Sequence, residues 1–164
     1  MDAQQFRAIQ APLKDKYRSD PASALVTLHA KGKAGEGISC NVETGRKLVE
    51  AGLHPATGGA GIQVCSGDML LEALVACLGV TLRAVATSLG VDLQQAEIEA
   101  EGDIDFRGTL GVSKEAPVGF KAIRVRFTLG GSISDGQRET LLRLTERYCV
   151  VLQTIRGPVP VSIT

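Results

Sequence analysis

From Ser66 to Asp92 the chain reads SGDMLLEALVACLGVTLRAVATSLGVD, and between Met69 and Leu89 only Glu72 and Arg83 carry charge. Nearly every other position is Leu, Val, Ala, Gly, Thr or Cys. A helix apolar around most of its circumference belongs inside a fold. Ser66 suits its N-cap, Asp68 suits the positive end of the helix dipole, and Gly90 suits its C-terminal stop. At about 1.5 Å per residue it would be roughly 33 Å long, enough to cross a small domain. It is also long enough to cross a bilayer, but Glu72, Arg83 and the patterned strands downstream favour the core of a soluble domain, with no membrane partner. With few aromatic residues elsewhere, one small chain offers such a helix too little cover, and an obligate homodimer is expected.

The 164 residues are within the range of one domain, and 44% of them are apolar. Lys plus Arg and Asp plus Glu both number 18, so no net field points to nucleic acid or a membrane surface. With no Trp, two Tyr and four Phe there is no platform for stacking bases, and no nucleic-acid partner is expected. MDAQQFRAIQ lacks a positive-then-apolar signal, which suggests a cytoplasmic protein. In a reducing compartment Cys40, Cys65, Cys77 and Cys149 do not make a disulfide scaffold. There is no CxxC pair and His29 and His54 do not cluster with cysteines, so neither a metal nor any other cofactor is expected.

Ala3, Phe6, Ile9, Leu13 and Tyr17 recur at three and four, predicting an amphipathic helix over 2–18 that Pro12 kinks or divides. Residues 24–30 alternate as a strand, KGKAGEG reads as a turn, and Ile38, Cys40 and Val42 alternate on a second strand, together a hairpin. The pattern over 46–51 fits a strand or a helical turn equally. GLHPATGGAGIQV, ahead of the long helix, lacks both the Walker ending and GxGxxG spacing. It reads as an irregular surface loop, with His54 a loop residue rather than a ligand.

After the long helix the period changes to two. Ala96, Ile98, Ala100, Ile104 and Phe106 share one face, opposite Glu97, Glu99, Glu101, Asp103 and Asp105. Ile123, Val125, Phe127 and Leu129 alternate with Arg124, Arg126 and Thr128. The acidic and basic outer faces would be complementary if the two strands pair. Ser134 and Gln137 form a capping-box pattern opening one helix through Leu141, Leu144, Tyr148, Leu152 and Ile155, with Cys149 on its flank. Pro158 ends it, and Val159, Val161 and Ile163 alternate as a last strand. The order is helix, hairpin, long helix, two strands, helix, strand, an α+β chain with antiparallel sheet packed around long buried helices.

Taken alone, Cys77 and Cys149 are more often small core residues than nucleophiles. Cys77 lies too deep in its helix for the N-terminal dipole to activate it, and burial would raise its pKa. Reactivity would then need a nearby cation, for which Lys33, Arg46, Arg83 and, less favourably placed, Arg18 are available.

SGDMLLEALVACLGVTLRAVATSLGVDL, the strands after it, and LLRLTERYCVVLQTI resemble the OsmC/Ohr family, the osmotically inducible and organic hydroperoxide resistance proteins. The resemblance covers residues 22–164 and leaves 1–21 as an N-terminal helical extension. It implies an intertwined homodimer with sites at the subunit interface, and a thiol peroxidase that reduces organic hydroperoxides. Cys77 matches the peroxidatic cysteine and Cys149 the resolving one, with a dithiol as reductant. Lys33 stands where the peroxidases have an Arg in the first hairpin turn, and Asp68 stands nearest the position of their paired Glu, with Glu72 one turn on. The cysteine motif is Cys-Val-Val at 149–151 where the family has Cys-Pro-Val. These departures mark a divergent branch. The same dimer could instead bind a small apolar ligand without turnover, or use the two cysteines as a redox sensor.

Overall fold

The structure, a computed structural model, describes residues 3–34, 40–42 and 51–163. Helix α1 (Ala3–Ser19) is followed by a 3-10 turn at Pro21–Ala24 and the strands β1 (Leu25–Ala34) and β2 (Cys40–Val42). Strand β3 (Ala51–Gly52), a second 3-10 turn at Pro55–Thr57 and β4 (Val64–Cys65) lead into the long helix α2 (Ser66–Ser88). Then come β5 (Gln95–Asp105), the short α3 (Phe106–Thr109), β6 (Phe120–Gly130), α4 (Asp135–Tyr148) and α5 (Val150–Arg156). The expected α+β class is observed. One sheet has the order β2-β1-β5-β6, with β1 and β2 antiparallel, and β3 and β4 form a separate parallel pair.

The chain divides into two compact units, one of Met1–His29, Gly45–Leu71 and Glu101–Arg124, the other of Ala30–Thr44, Glu72–Ala100 and Val125–Thr164. In the first, the buried Tyr17 donates its hydroxyl to the Ala56 carbonyl at 2.6 Å. His54 caps the 3-10 turn through Nδ1, which accepts the Ala56 amide at 3.0 Å, and its ring stacks on Phe106 with centroids 5.0 Å apart. This histidine is thus a structural residue, and no metal-holding cluster occurs among the described residues. Gly108 is packed so closely that a Cβ there would stand 2.3 Å from the Pro117 carbonyl oxygen.

In the second unit Leu74, Val75, Leu78, Leu82, Ile98, Leu141, Thr145 and Cys149 are fully buried. Leu71, Leu74, Leu78 and Leu82 make one sealed row along α2, at helical spacing. By length and composition α2 would pass for a membrane-crossing helix, yet 44% of its most apolar stretch is buried in the fold. It is not buried all round, however. Leu70 and Val80 are 39% and 38% exposed, and with Ala73, Cys77 and Ala84 they form a second row at spacings of three and four.

The strand patterns hold well. In β5, Ala96, Ile98, Ala100 and Ile104 are buried while Glu97, Glu99, Glu101 and Asp103 face outward, because the strand period is two. As the charge pattern suggested, β5 and β6 are neighbours, and Arg124 bonds Asp103 at 2.5 Å while Arg126 reaches Glu99 at 3.3 Å. On the other side of β5, Lys31 bonds Glu97 at 2.5 Å. The Ser134–Gln137 capping box is present with both of its hydrogen bonds.

Several expectations are corrected. Helix α1 runs through Pro12 as one element, since Ala8 and Pro12 both lie on its exposed side, where water can satisfy the freed carbonyl. Lys33 is not in a turn: β1 continues to Ala34, and Lys33 pairs with Asn41 across the hairpin. Ile38 and residues 46–50 lie outside the described residues, as does the side chain of Cys40. Ser66 is the first helical residue rather than the cap, and Cys65 is on a short strand rather than in a loop. Phe106 keeps the buried face of β5 but belongs to α3. The helix expected from Ser134 through Ile155 breaks at Cys149. Val159, Val161 and Ile163 form no strand, because among the described residues no neighbouring strand offers them a ladder, and Ile163 is 97% exposed.

Asp105 was expected on the acidic outer face but is only 3% exposed. Its carboxylate caps α3 by accepting the Arg107 amide at 3.1 Å and takes a two-pronged bond from the Arg107 guanidinium, the shorter at 2.6 Å. The Arg107 side chain beside it holds the carboxyl below the usual range, against the opposing effect of burial. A carboxylate with a depressed folded-state pKa contributes stability that is present above about pH 4 and is lost as pH falls through the folded value. Asp105→Ala should therefore cost about 2 kcal/mol at pH 7. Chemical denaturation should show the difference from wild type shrinking towards pH 2.

Candidate active site

Cys77 sits on the outward row of α2, half-buried, because the i, i+3, i+4 spacing that seals Leu74 and Leu78 turns position 77 towards the other side. Cys149 lies between α4 and α5 with φ −72° and ψ 108°, an extended residue joining two helices. It closes the first through its amide, which donates to the Thr145 carbonyl at 3.0 Å. It opens the second through its sulfur, which accepts the Leu152 amide at 3.5 Å. That distance is within the reach of a sulfur acceptor, whose lone pairs are more diffuse than those of oxygen.

The structure brings the two cysteines, both free, close enough for each to act on the ionisation of the other. Their environments push them in opposite directions. Burial raises the Cys77 thiol, but the Val151 amide, the Cys149 thiol, the Thr81 hydroxyl and the Val150 amide outweigh it, so Cys77 lies below the ordinary thiol range. Burial pushes Cys149 up to about 11, a rise to which ionisation of Cys77 beside it adds. The two neighbouring thiols are thus unequal, Cys77 being the lower and Cys149 the higher.

Among the described residues no cation is one of the groups acting on Cys77. Lys33 is exposed on β1. Arg83 turns its guanidinium to the Leu93 carbonyl, with its Nε buried and without a partner. Arg18 pairs with Asp15 at 2.8 Å, and Arg46 lies outside the described residues. Asp68 and Glu72 are both half-buried at the start of α2. Burial raises the Asp68 carboxyl, opposed by the charges of His54 and His29.

Sequence reasoning missed three groups that face Cys77. Thr81 could have been found, since it is four residues on and therefore on the same helix face. The Val150 and Val151 amides could not, because a backbone N–H carries no side-chain signature. Thr145 is also buried, and its hydroxyl has no partner among the described residues.

The sequence matches the model of the OsmC-like protein family over residues 58–164, a span that contains both cysteines. Three solved structures share the fold. An OsmC-like hydroperoxide resistance protein from a Jannaschia species is 19% identical, covers 84% of this chain and 91% of its own, and superposes with a TM-score of 0.59. For an OsmC-like protein from Mycoplasma pneumoniae the identity is 13%, the coverage 82% and 86%, and the TM-score 0.57. An organic hydroperoxide resistance protein OsmC from Legionella pneumophila gives 17%, 80% and 90%, and 0.55. No match was found among curated protein sequences. With a family match extending over more than half of its length, this chain belongs to the OsmC-like protein family.

Proposed function

We propose that this protein is a cysteine-dependent peroxidase that reduces organic hydroperoxides, with Cys77 as the attacking thiolate and Cys149 as the resolving thiol. The observation that carries this reading is a pair of free cysteines that act on each other's ionisation, one lowered and one raised in pKa, within the span matched to the family. The Cys77 thiolate attacks the terminal oxygen of the peroxide, so an S–O bond forms as the O–O bond breaks. The departing alkoxide takes a proton and leaves as the alcohol, and Cys77 becomes a sulfenic acid. The Cys149 sulfur then attacks the Cys77 sulfur, an S–S bond forms, and water leaves with the sulfenic oxygen. An external dithiol returns both cysteines to thiols and is itself oxidised to a disulfide.

The apolar surroundings support an organic rather than a small inorganic peroxide. Leu70 and Val80 flank Cys77 on its own helix row, and the exposed Val150 adjoins it through the backbone. The same row supports a homodimer, because an apolar stripe left open in one chain is favourably covered by a second copy. A reducing cytoplasm suits a cycle that needs a dithiol. The Jannaschia and Legionella proteins, both described as hydroperoxide resistance proteins, agree with this reading.

The test is consumption of cumene hydroperoxide by the wild-type protein with dithiothreitol, alongside mass spectrometry of the oxidised chain. Turnover and a Cys77–Cys149 bridge are expected, with a pH–rate profile whose midpoint is lowered from that of an ordinary thiol. If neither turnover nor a bridge is found, the reading fails and binding of an apolar ligand takes its place.

A further inference from the structure

Thr145 makes no use of the hydrogen bond that its own helix offers. A threonine or serine in a helix can donate its hydroxyl to a carbonyl three or four residues back, which satisfies the group however deeply it is buried. Thr87 does so on α2, donating to the Arg83 carbonyl at 2.9 Å, and Ser88 donates to the Val85 carbonyl at 2.9 Å. Thr145 has the Leu141 carbonyl four residues back on α4. Yet the residue is 0% exposed, and its hydroxyl has no partner among the described residues. A buried hydroxyl left unpaired destabilises a fold, whereas a valine would fill the same space without that penalty.

Cys149 lies one turn further along the same helix face. Its amide donates to the Thr145 carbonyl at 3.0 Å, and it too is 0% exposed. Other large side chains sealed to the same degree, among them Leu78, Ile98 and Leu141, are hydrocarbons. A hydroxyl and a thiol are thus neighbours in an otherwise apolar interior. The resolving step asks Cys149 to ionise there, out of reach of water, where an anion without a donor is costly.

We propose that the Thr145 hydroxyl serves the resolving step: unpaired while Cys149 is a thiol, it donates to the Cys149 sulfur when that sulfur becomes the anion that attacks Cys77. This rests on the reading of Cys77 and Cys149 as a reactive pair. Rotation about one bond exchanges the threonine hydroxyl with a methyl of nearly the same size, so the donor reaches a new direction without needing new space. In the step itself Cys149 gives up its proton, the S–S bond forms as the Cys77 S–O bond breaks, and the departing hydroxide is protonated to water. Thr145 keeps its own proton throughout. A bond absent from the resting state and made only as the anion forms lowers the barrier rather than the starting level.

The experiment uses diamide, an azo oxidant that the Cys77 thiolate adds to and that leaves as a hydrazine when Cys149 attacks the adduct. At saturating diamide the plateau rate of bridge formation is that of closure, followed by acid quench and mass spectrometry. Thr145→Val should close about tenfold more slowly than wild type, while Thr145→Ser, which keeps the hydroxyl, should stay within about twofold. Thr145→Val should nevertheless melt no lower than wild type, since it loses an unpaired group. Equal closure rates for Thr145→Val and wild type overturn the proposal, as does a Thr145→Ser as slow as Thr145→Val. A Thr145→Val that melts below wild type shows the hydroxyl already bonded in the dithiol form, and overturns it too. Should Thr145→Val not fold, Thr145→Ser against Thr145→Ala decides by the same difference of one hydroxyl. A wild type that forms no bridge with diamide removes both the pair and the role of Thr145. Slow closure in Thr145→Val together with no consumption of hydroperoxide by wild type refutes the peroxidase reading alone.

Discussion

Cys77→Ser is expected to abolish hydroperoxide consumption, while Cys149→Ser should permit one attack per chain and then stop. The asymmetry follows from the two environments. A serine hydroxyl at 77 would meet the same donors, but its ionisation lies far above any thiol's, so the amides of Val150 and Val151 have no anion to stabilise at neutral pH. At 149 the substitution spares the attacking sulfur and keeps a good cap for α5. A burst of about one alcohol per chain should be followed by a sulfenic acid trapped at Cys77, which excess peroxide drives on to the sulfinic state. Mass spectrometry resolves the two variants: no added oxygen at position 77 in the first, one and then two in the second. Cys65, half-exposed on β4, should be dispensable. Sustained turnover by Cys149→Ser would show that the reductant reaches the sulfenic acid directly, and the resolving role would fall.

Leu78→Ala is expected to destabilise the protein by about 3 kcal/mol, lowering the melting temperature by roughly 6–12 °C. Leu78 is 1% exposed in the sealed row of α2, next in sequence to Cys77. Truncation removes the transfer free energy of three carbons and leaves a cavity that a long helix, fixed at both ends by neighbouring leucines, cannot collapse into. Val80→Ala is the instructive companion. In a lone chain Val80 is 38% exposed, and its truncation should cost well under about 1 kcal/mol. If a second copy covers the outward row, as proposed, the cost should instead be concentration-dependent and sedimentation should show weakened self-association. A monomer at micromolar concentration with an unchanged Val80→Ala would remove the dimer from the account.

Much of this architecture was legible because its causes are local. Period two in 95–105 buries Ala96, Ile98 and Ala100 wherever the strand lies, and the complementary charges on β6 select its neighbour. The capping box at Ser134 needs only four consecutive residues. The length and apolarity of α2 demanded a core, and the pattern of two cysteines on neighbouring helices carried the family resemblance that the match over 58–164 then established.

What the sequence by itself determined was thus the long helix, the alternating strands with their buried faces, and the family. Tertiary structure decided the chemistry at the sulfurs. The 3.6-residue period runs through Cys149 without a sign of the break, because the groups that favour the break are the Leu152 amide and the distant Cys77. Asp105 read as one more outward acid until Arg107 and the start of α3 gave its buried carboxylate partners. The tail at Val159–Ile163 alternates like a strand, but a strand is made by its neighbour, and among the described residues it has none. The sequence pointed to a cation beside Cys77 because only side chains carry charge in a sequence. The groups acting on Cys77 among the described residues include backbone amides, which every residue possesses and only the fold can place.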